Sequence, residues 1–281
     1  MTTNGMADER DAVLTTGANS GIGLATVIEV AKRGYRSFGS VRSVAKADVV
    51  HKAAAEAGVE VETVILDVTD ADACAAVIDD LDVDLFGLVN NAGYGMTGAI
   101  EDVTDEEAHH LFETMVFAPL RLARLALPGM RTAGRGRIIN VSSIYGRTTT
   151  PLTGWYQGAK HALEGASDAL RLEVAGAGVQ VVLIEPGGFK TGIWEDLERD
   201  IDKRGDSRYG AAYRRTQQAM MLSAPIMGEP KQCAKAIANA LSSRRPRARY
   251  LVGIDAMALA TVERFTPTAL KDRVVRLTLG L

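Results

Sequence analysis

The chain has 281 residues, 47% of them hydrophobic and 24% charged, with a formal net charge of −3. That length supports one large core, and charge of mixed sign and small balance gives no footprint for a nucleic acid. Two distant cysteines, Cys74 and Cys233, speak against a disulfide framework and for a reducing compartment. The four histidines lack cysteine or acid partners at ligand spacing, so no metal site is expected.

The polar start, residues 1–10, has no apolar run of the signal-peptide kind and is expected to be a mobile tail. No uncharged run approaches the ~20 residues of a membrane span, so a cytoplasmic protein is expected. Short β-branched runs then alternate with longer helical patterns. Strands are expected at 12–16, 36–41, 60–68, 85–93, 136–143, 179–188 and 248–253. Helices are expected over 21–33, 44–57, 70–81, from 104 toward Pro128, 155–175 and 230–242. "TDEE" at 104–107 has the capping-box form, and Gly34 and Gly58 suit helix C-termini. Residues 192–225 form a long mixed segment, and 254–281 an amphipathic tail. The basic cluster at 242–250 reads as a solvated loop. Strands separated by helices predict an α/β fold, a doubly wound seven-stranded parallel sheet with helices on both faces, over residues 11–253.

Ligands of such sheets bind beyond the carboxyl ends of the strands, and five signals fall there. "TGANSGIG" (16–23) leaves the first strand and opens a helix, where glycines allow close backbone approach and the helix start favours a phosphate. At the end of the second strand no acid is present to take ribose hydroxyls. Arg42 stands there instead and favours the 2′-phosphate of NADP(H). Asp67 and Val68 end the third strand, "NNAG" (90–93) the fourth, and "NVSS" (140–143) the fifth, with the Ser143 hydroxyl able to bond a substrate oxygen. In "YQGAK" (156–160), Tyr156 and Lys160 lie four apart and share one helix face.

With "PGGFKT" (186–191), these stretches resemble the short-chain dehydrogenase/reductase family, from about residue 10 to 190 in register. "YQGAKHALEG" and "RARYLVG" are similar to the branch holding hydroxysteroid and retinol dehydrogenases. The resemblance implies Tyr156 as general acid or base, Lys160 lowering its pKa and holding nicotinamide ribose, and Ser143 polarising the carbonyl. It implies cofactor contacts from Gly17, Asn19, Ser20, Gly21, Ile22, Gly23, Arg42, Asp67, Val68, Asn90, Ala92, Gly93, Pro186, Gly187 and Thr191, besides Tyr156 and Lys160. Where the family usually carries an asparagine that ties the lysine to a water chain, this chain has Met115, which implies a slower enzyme or a rebuilt relay.

The segment 192–225 is expected to cover the substrate. Trp194, Met220, Met221 and Leu222 within it, with Tyr94 and Trp155, predict a bulky hydrophobic ketone, aldehyde or alcohol. The resemblance also implies a homodimer or homotetramer built on the helices at 104–128 and 155–175. Two other readings stand beside this one. One is a weak or inactive NADPH-binding regulatory protein; the other is a sugar-nucleotide epimerase, which the apparent NADP preference and short C-terminal part disfavour.

Overall fold

The computed structural model describes residues 10–204, 206–223, 225 and 227–281; nine of the ten residues expected as a tail lie outside this set. Seven strands form one sheet: β1 (Ala12–Thr15), β2 (Arg36–Val41), β3 (Glu62–Ile65), β4 (Leu85–Asn90), β5 (Gly136–Val141), β6 (Val179–Pro186) and β7 (Arg249–Val252). Every pairing is parallel and the order is β3-β2-β1-β4-β5-β6-β7. Strand order reverses between β1 and β4, which opens a crevice at their carboxyl ends.

Alternation along the strands divides the core in two. Leu14, Leu88 and Ile138 point to one face, against Leu122 and Met130. Their neighbours Val13, Val89 and Ile139 point to the other, against Val30 and Ile237. Both faces are covered by helices, so the strands read as nearly continuous apolar runs. The helices are α1 (Gly21–Lys32), α2 (Val44–Glu56), α3 (Ala71–Asp80), α4 (Asp105–Phe112), α5 (Ala118–Thr132), α6 (Gly154–Glu173), α7 (Ile193–Lys203), α8 (Gly210–Ser223), α9 (Pro230–Ser242), α10 (Ile254–Phe265) and α11 (Thr268–Leu279). Cys74 and Cys233 are both fully buried on helices.

Four departures from the sequence expectations have physical reasons. The third strand is shorter, because only residues 62–65 find partners on β2. The helix from 104 is broken by one π-helical turn, Glu113–Phe117, and continues through Pro128 to Thr132. The 192–225 segment is built from two helices rather than irregular chain. Arg249, which lies both in the basic cluster expected as a solvated loop and in the strand expected at 248–253, belongs to β7 and pairs with Glu164, Asp168 and Glu185. The capping box at Thr104 and Glu107 is present in both directions.

Candidate active site

The loop between β1 and α1 is shaped by glycine. Gly17 and Gly21 adopt left-handed backbone, with φ of +67° and +52°, which costs side-chain-bearing residues most. A Cβ on Gly23 would lie 2.2 Å from the Gly17 carbonyl oxygen, so helix and loop close on each other only with glycine there. Ser20 caps α1 in extended conformation, and its hydroxyl makes no capping bond. Ser20, with half-buried Asn19 and Ile22, therefore stands at a helix start whose N–H groups face the crevice. Thr191 packs its methyl against Gly21 from the opposite side.

Thr16 and Asn91 brace this loop, and neither was singled out from the sequence. The Thr16 hydroxyl oxygen accepts the N–H groups of Asn91 and Ala92, each at 3.0 Å. Asn91 Nδ2 donates to the carbonyls of Thr16 (2.9 Å) and Gly17 (3.3 Å). Asn90 faces inward instead: its amide donates to Pro119 O and to Asn140 Oδ1, whose own amide reaches Ser167. Ala92 and Gly93 remain partly open at the crevice. The Gly187 N–H closes the β6 end on Val252, beside Pro186.

Arg42 is exposed just beyond β2. Burial pushes the Asp67 carboxyl up, but the Thr69 N–H and hydroxyl, then Arg42 and His110, outweigh it and hold Asp67 below the usual carboxylate range. Arg42 and Asp67 therefore share one neighbourhood at the outer end of the crevice, with Val68 buried behind. A cradle that added Cβ atoms would fill, a bare helix start and a cation at the far end fit a dinucleotide with an extra phosphate.

Ser143 leaves β5 and accepts the Tyr145 N–H at 3.1 Å. Ser143 stands close enough to the Tyr156 hydroxyl to favour its ionised form. One turn along α6, Lys160 Nζ donates to Val141 O at 2.9 Å and lies 5.7 Å from the Tyr156 ring centre. The three side chains expected to act together thus meet, each under 10% exposed. Their electrostatics differ from expectation. Burial pushes Tyr156 up to about 12, Ser143 opposing and Tyr145 adding. Burial pushes Lys160 down to about 8, opposed by Glu164. Among the protein's own groups desolvation dominates at Tyr156, while the Lys160 ammonium donates to the Val141 carbonyl.

Met115 lies in the π turn, 1% exposed, in an apolar cluster with Leu111, Tyr156 and Ala159. Its Cε is 3.1 Å from where a side chain on Gly93 would begin. Thr114 turns back on its own helix and donates to His110 O. Neither side chain supplies a polar link to Lys160.

The candidate substrate residues divide. Trp194 donates to Phe189 O at 2.6 Å and lines a cavity of about 800 Å3 with Gly21, Thr191, Met220, Met221 and Met227. Tyr94 is half-buried against His110; burial, with Asp200, Glu107 and Asp196, pushes it up to about 12. Trp155 turns edge-on to Phe112 and donates to Ile100 O, apart from that cavity. Leu222 is 82% exposed and does not line it. Polar anchors fasten α7, α8 and the turn between them to residues 99–107. Asp102 accepts from Ser207 (2.6 Å) and Tyr213 (2.7 Å), Tyr213 in turn accepts the Ala99 N–H, and Glu107 takes Lys203 and Arg204.

This arrangement of sheet, crevice and Ser-Tyr-Lys group defines a class of oxidoreductase, and the comparisons with known proteins agree. Residues 11–202 match the family model described as short chain dehydrogenase. The chain belongs to the short-chain dehydrogenase/reductase family. A probable short-chain type dehydrogenase/reductase of Helicobacter pylori, VdlC, is 34% identical over 93% of this chain and 95% of its own. Human retinol dehydrogenase 5 is 31% identical over 94% of this chain and 87% of its own. A metagenomic short-chain oxidoreductase, solved in complex with NADP, superimposes with a TM-score of 0.69 at 26% identity, over 86% of this chain and 96% of that one.

Proposed function

We propose that this protein is an NADP(H)-dependent oxidoreductase that interconverts a hydrophobic ketone or aldehyde with its alcohol. The convergence of Ser143, Tyr156 and Lys160 beside the glycine cradle carries the proposal. The NADP-bound relative and Arg42 favour the phosphorylated cofactor. The retinol dehydrogenase relative and the methionine-lined cavity favour a bulky apolar substrate.

Gly17, Asn19, Ser20, Gly21, Ile22 and Gly23 would hold the pyrophosphate, Arg42 the 2′-phosphate, and Asp67 with Val68 the adenine. Thr191, with Pro186 and Gly187 behind it, would hold the carboxamide, and Ala92 and Gly93 keep the wall low. NADPH supplies the hydride when bound. Ser143 orients the carbonyl oxygen. Tyr156 delivers its phenolic proton to that oxygen in reduction and removes it in oxidation. Lys160, charged below about pH 8, favours the phenolate left behind. The apolar cluster around Tyr156 and Met115 keeps water away from the transfer.

The raised Tyr156 and the apolar residue at 115 favour a second reading, a protein that binds NADPH and turns over slowly or not at all. Purified protein, NADPH and a panel of hydrophobic ketones and aldehydes separate the two. Turnover that falls by about 10²–10⁴-fold in Tyr156→Phe supports the reductase. Tight NADPH binding with no turnover on any member supports the second reading.

A further inference from the structure

Behind Lys160, α6 runs into a buried charged cluster that the reaction derived above does not use. Glu164 lies one turn beyond Lys160 and is 6% exposed; Glu185 on β6 is fully buried. Arg249 donates to Glu164 Oε2 at 3.0 Å and to Asp168 at 2.6 Å, and sits 3.2 Å from Glu185 Oε1. Arg147 donates to Glu185 Oε1 at 2.9 Å, and Arg171 reaches Asp168 from the solvent side. Arg147 Nε also lies 2.9 Å from Glu185 Oε2, so the cations hold both oxygens of Glu185 but only one of Glu164. Glu164 Oε1 is buried with no hydrogen-bond partner, as is Ser142 Oγ nearby. Gly146 leaves the gap beside them open: a Cβ there would stand 2.8 Å from Ser142 Oγ and 3.3 Å from Glu164 Oε1.

On the same face of the same helix, Lys160 is a buried ammonium whose one protein acceptor is Val141 O, although it carries three donors. The Lys160 ammonium and the Glu164 carboxylate stand one helical turn apart on one buried face without forming an ion pair, so the carboxylate acts on the ammonium through its field. We propose that Glu164 is a positioning residue whose negative charge, gripped by Arg249, keeps Lys160 charged beneath Tyr156, where Met115 offers no polar support. The proposal rests on Tyr156 and Lys160 being the reacting pair.

The groups facing Lys160 are Tyr156 and Glu164 from α6 and the Val141 carbonyl at the end of β5, with Ser143 and Tyr145 beyond, against Tyr156. Those facing Glu164 are Arg249 from β7, Glu185 from β6 and, through Glu185, Arg147. Burial drives Lys160 toward the neutral amine, and Glu164 is the acid that opposes it. Removing that negative charge lets the lysine proton leave at lower pH.

The test is Glu164→Gln in the full chain, read first by nuclear magnetic resonance of lysine-labelled protein. The Lys160 signal is assigned by its loss in Lys160→Arg. The wild-type midpoint is expected near the value of about 8, and in Glu164→Gln about one pH unit lower or more. Glu164→Asp, which keeps the charge and shortens its reach, should move the midpoint less; it serves if the glutamine variant does not fold. An unmoved or raised midpoint in Glu164→Gln overturns the proposal, and where only Glu164→Asp folds a raised midpoint does. The second reading is kcat against pH. Glu164→Gln should lose roughly tenfold at pH 8 and recover toward lower pH, with KM for NADPH unchanged. A loss equal at every pH would mean that Glu164 only packs. A wild-type enzyme with no turnover would sink the reductase reading, while the lysine titration would still decide the role of Glu164.

Discussion

Met115 and Arg42 are two residues at which this chain departs from, or chooses within, the pattern its resemblance implies. Met115 fills space between Gly93 and Tyr156, so an asparagine there exchanges apolar packing for an amide that can reach toward Lys160. Met115→Asn should raise kcat and leave NADPH affinity unchanged. It should also lower Tm by several degrees, because it both empties volume and buries a polar group. No gain in rate, measured beside thermal unfolding of the same preparation, would show that the relay is already complete. Arg42 is exposed and faces the neighbourhood of Asp67, so its value lies in ligand contact rather than stability. Arg42→Ala should weaken NADPH binding by about tenfold or more and leave NADH binding untouched, as loss of one charge-assisted bond predicts. Fluorescence titration with both nucleotides reads the ratio; an unchanged ratio would move the 2′-phosphate contact elsewhere. That Ser143, Tyr156 and Lys160 would come together was legible in the sequence, because a strand end and one helix face at fixed spacing bring these residue types to one place. Asn90 and Asn91 were not separable, because neighbouring residues at a strand end point to opposite sides and either amide suits either task. Glu164 was invisible, since its partners come from β6 and β7, far along the chain.

At the scale of elements, the strands and their order followed from apolar runs bounded by glycine-rich ends. The π turn at Glu113–Phe117 did not. One extra residue in a helical turn leaves the hydrophobic pattern on both sides intact, so periodicity cannot register it. Helices α7 and α8 were missed for another reason: they are anchored less by apolar periodicity than by polar contacts to residues 97–107. Thr97 N–H donates to Asp200, and Tyr213, 2% exposed, joins Ala99 to Asp102. Tyr213→Phe leaves the buried Ala99 N–H without its partner, at about 1–3 kcal/mol, while Asp102 keeps Ser207. Tyr213 itself touches Ala99 and Asp102 and none of the residues of the glycine loop. Tyr213→Phe should raise KM for the carbonyl substrate, leave the Kd for NADPH unchanged and lower Tm. If substrate KM holds while Tm falls, the tyrosine secures the fold and has no part in closing the site.

The whole molecule leaves apolar surface that a single chain does not cover. Phe117 on the π turn is 52% exposed and Leu172 on α6 is 69% exposed. Between them along α6 runs a line of small, accessible residues, Gly158, Ala162, Gly165 and Ala169, at spacings of three and four. Composition alone could not place this line at the surface, because glycine and alanine suit a buried helix face equally well. Small residues on an exposed helix let a second helix approach closely, and a two-fold axis through α6 would bury Leu172 and Phe117 in both copies. Gly165 tests this cleanly. Nothing lies within 4 Å of a Cβ built on it, so a side chain there meets no atom of its own protomer. Replacing an exposed helical glycine also favours the helix, by up to about 1 kcal/mol. Gly165→Arg should therefore keep or raise the stability of the protomer while forcing two facing helices apart and setting like charges against each other. Light scattering coupled to gel filtration should show a dimer or tetramer in the wild type and a smaller species in Gly165→Arg. An oligomer that survives the substitution would place the contact on another face, and α10 and α11, where Ile254, Phe265 and Leu277 are each more than 70% exposed, would be the next to change.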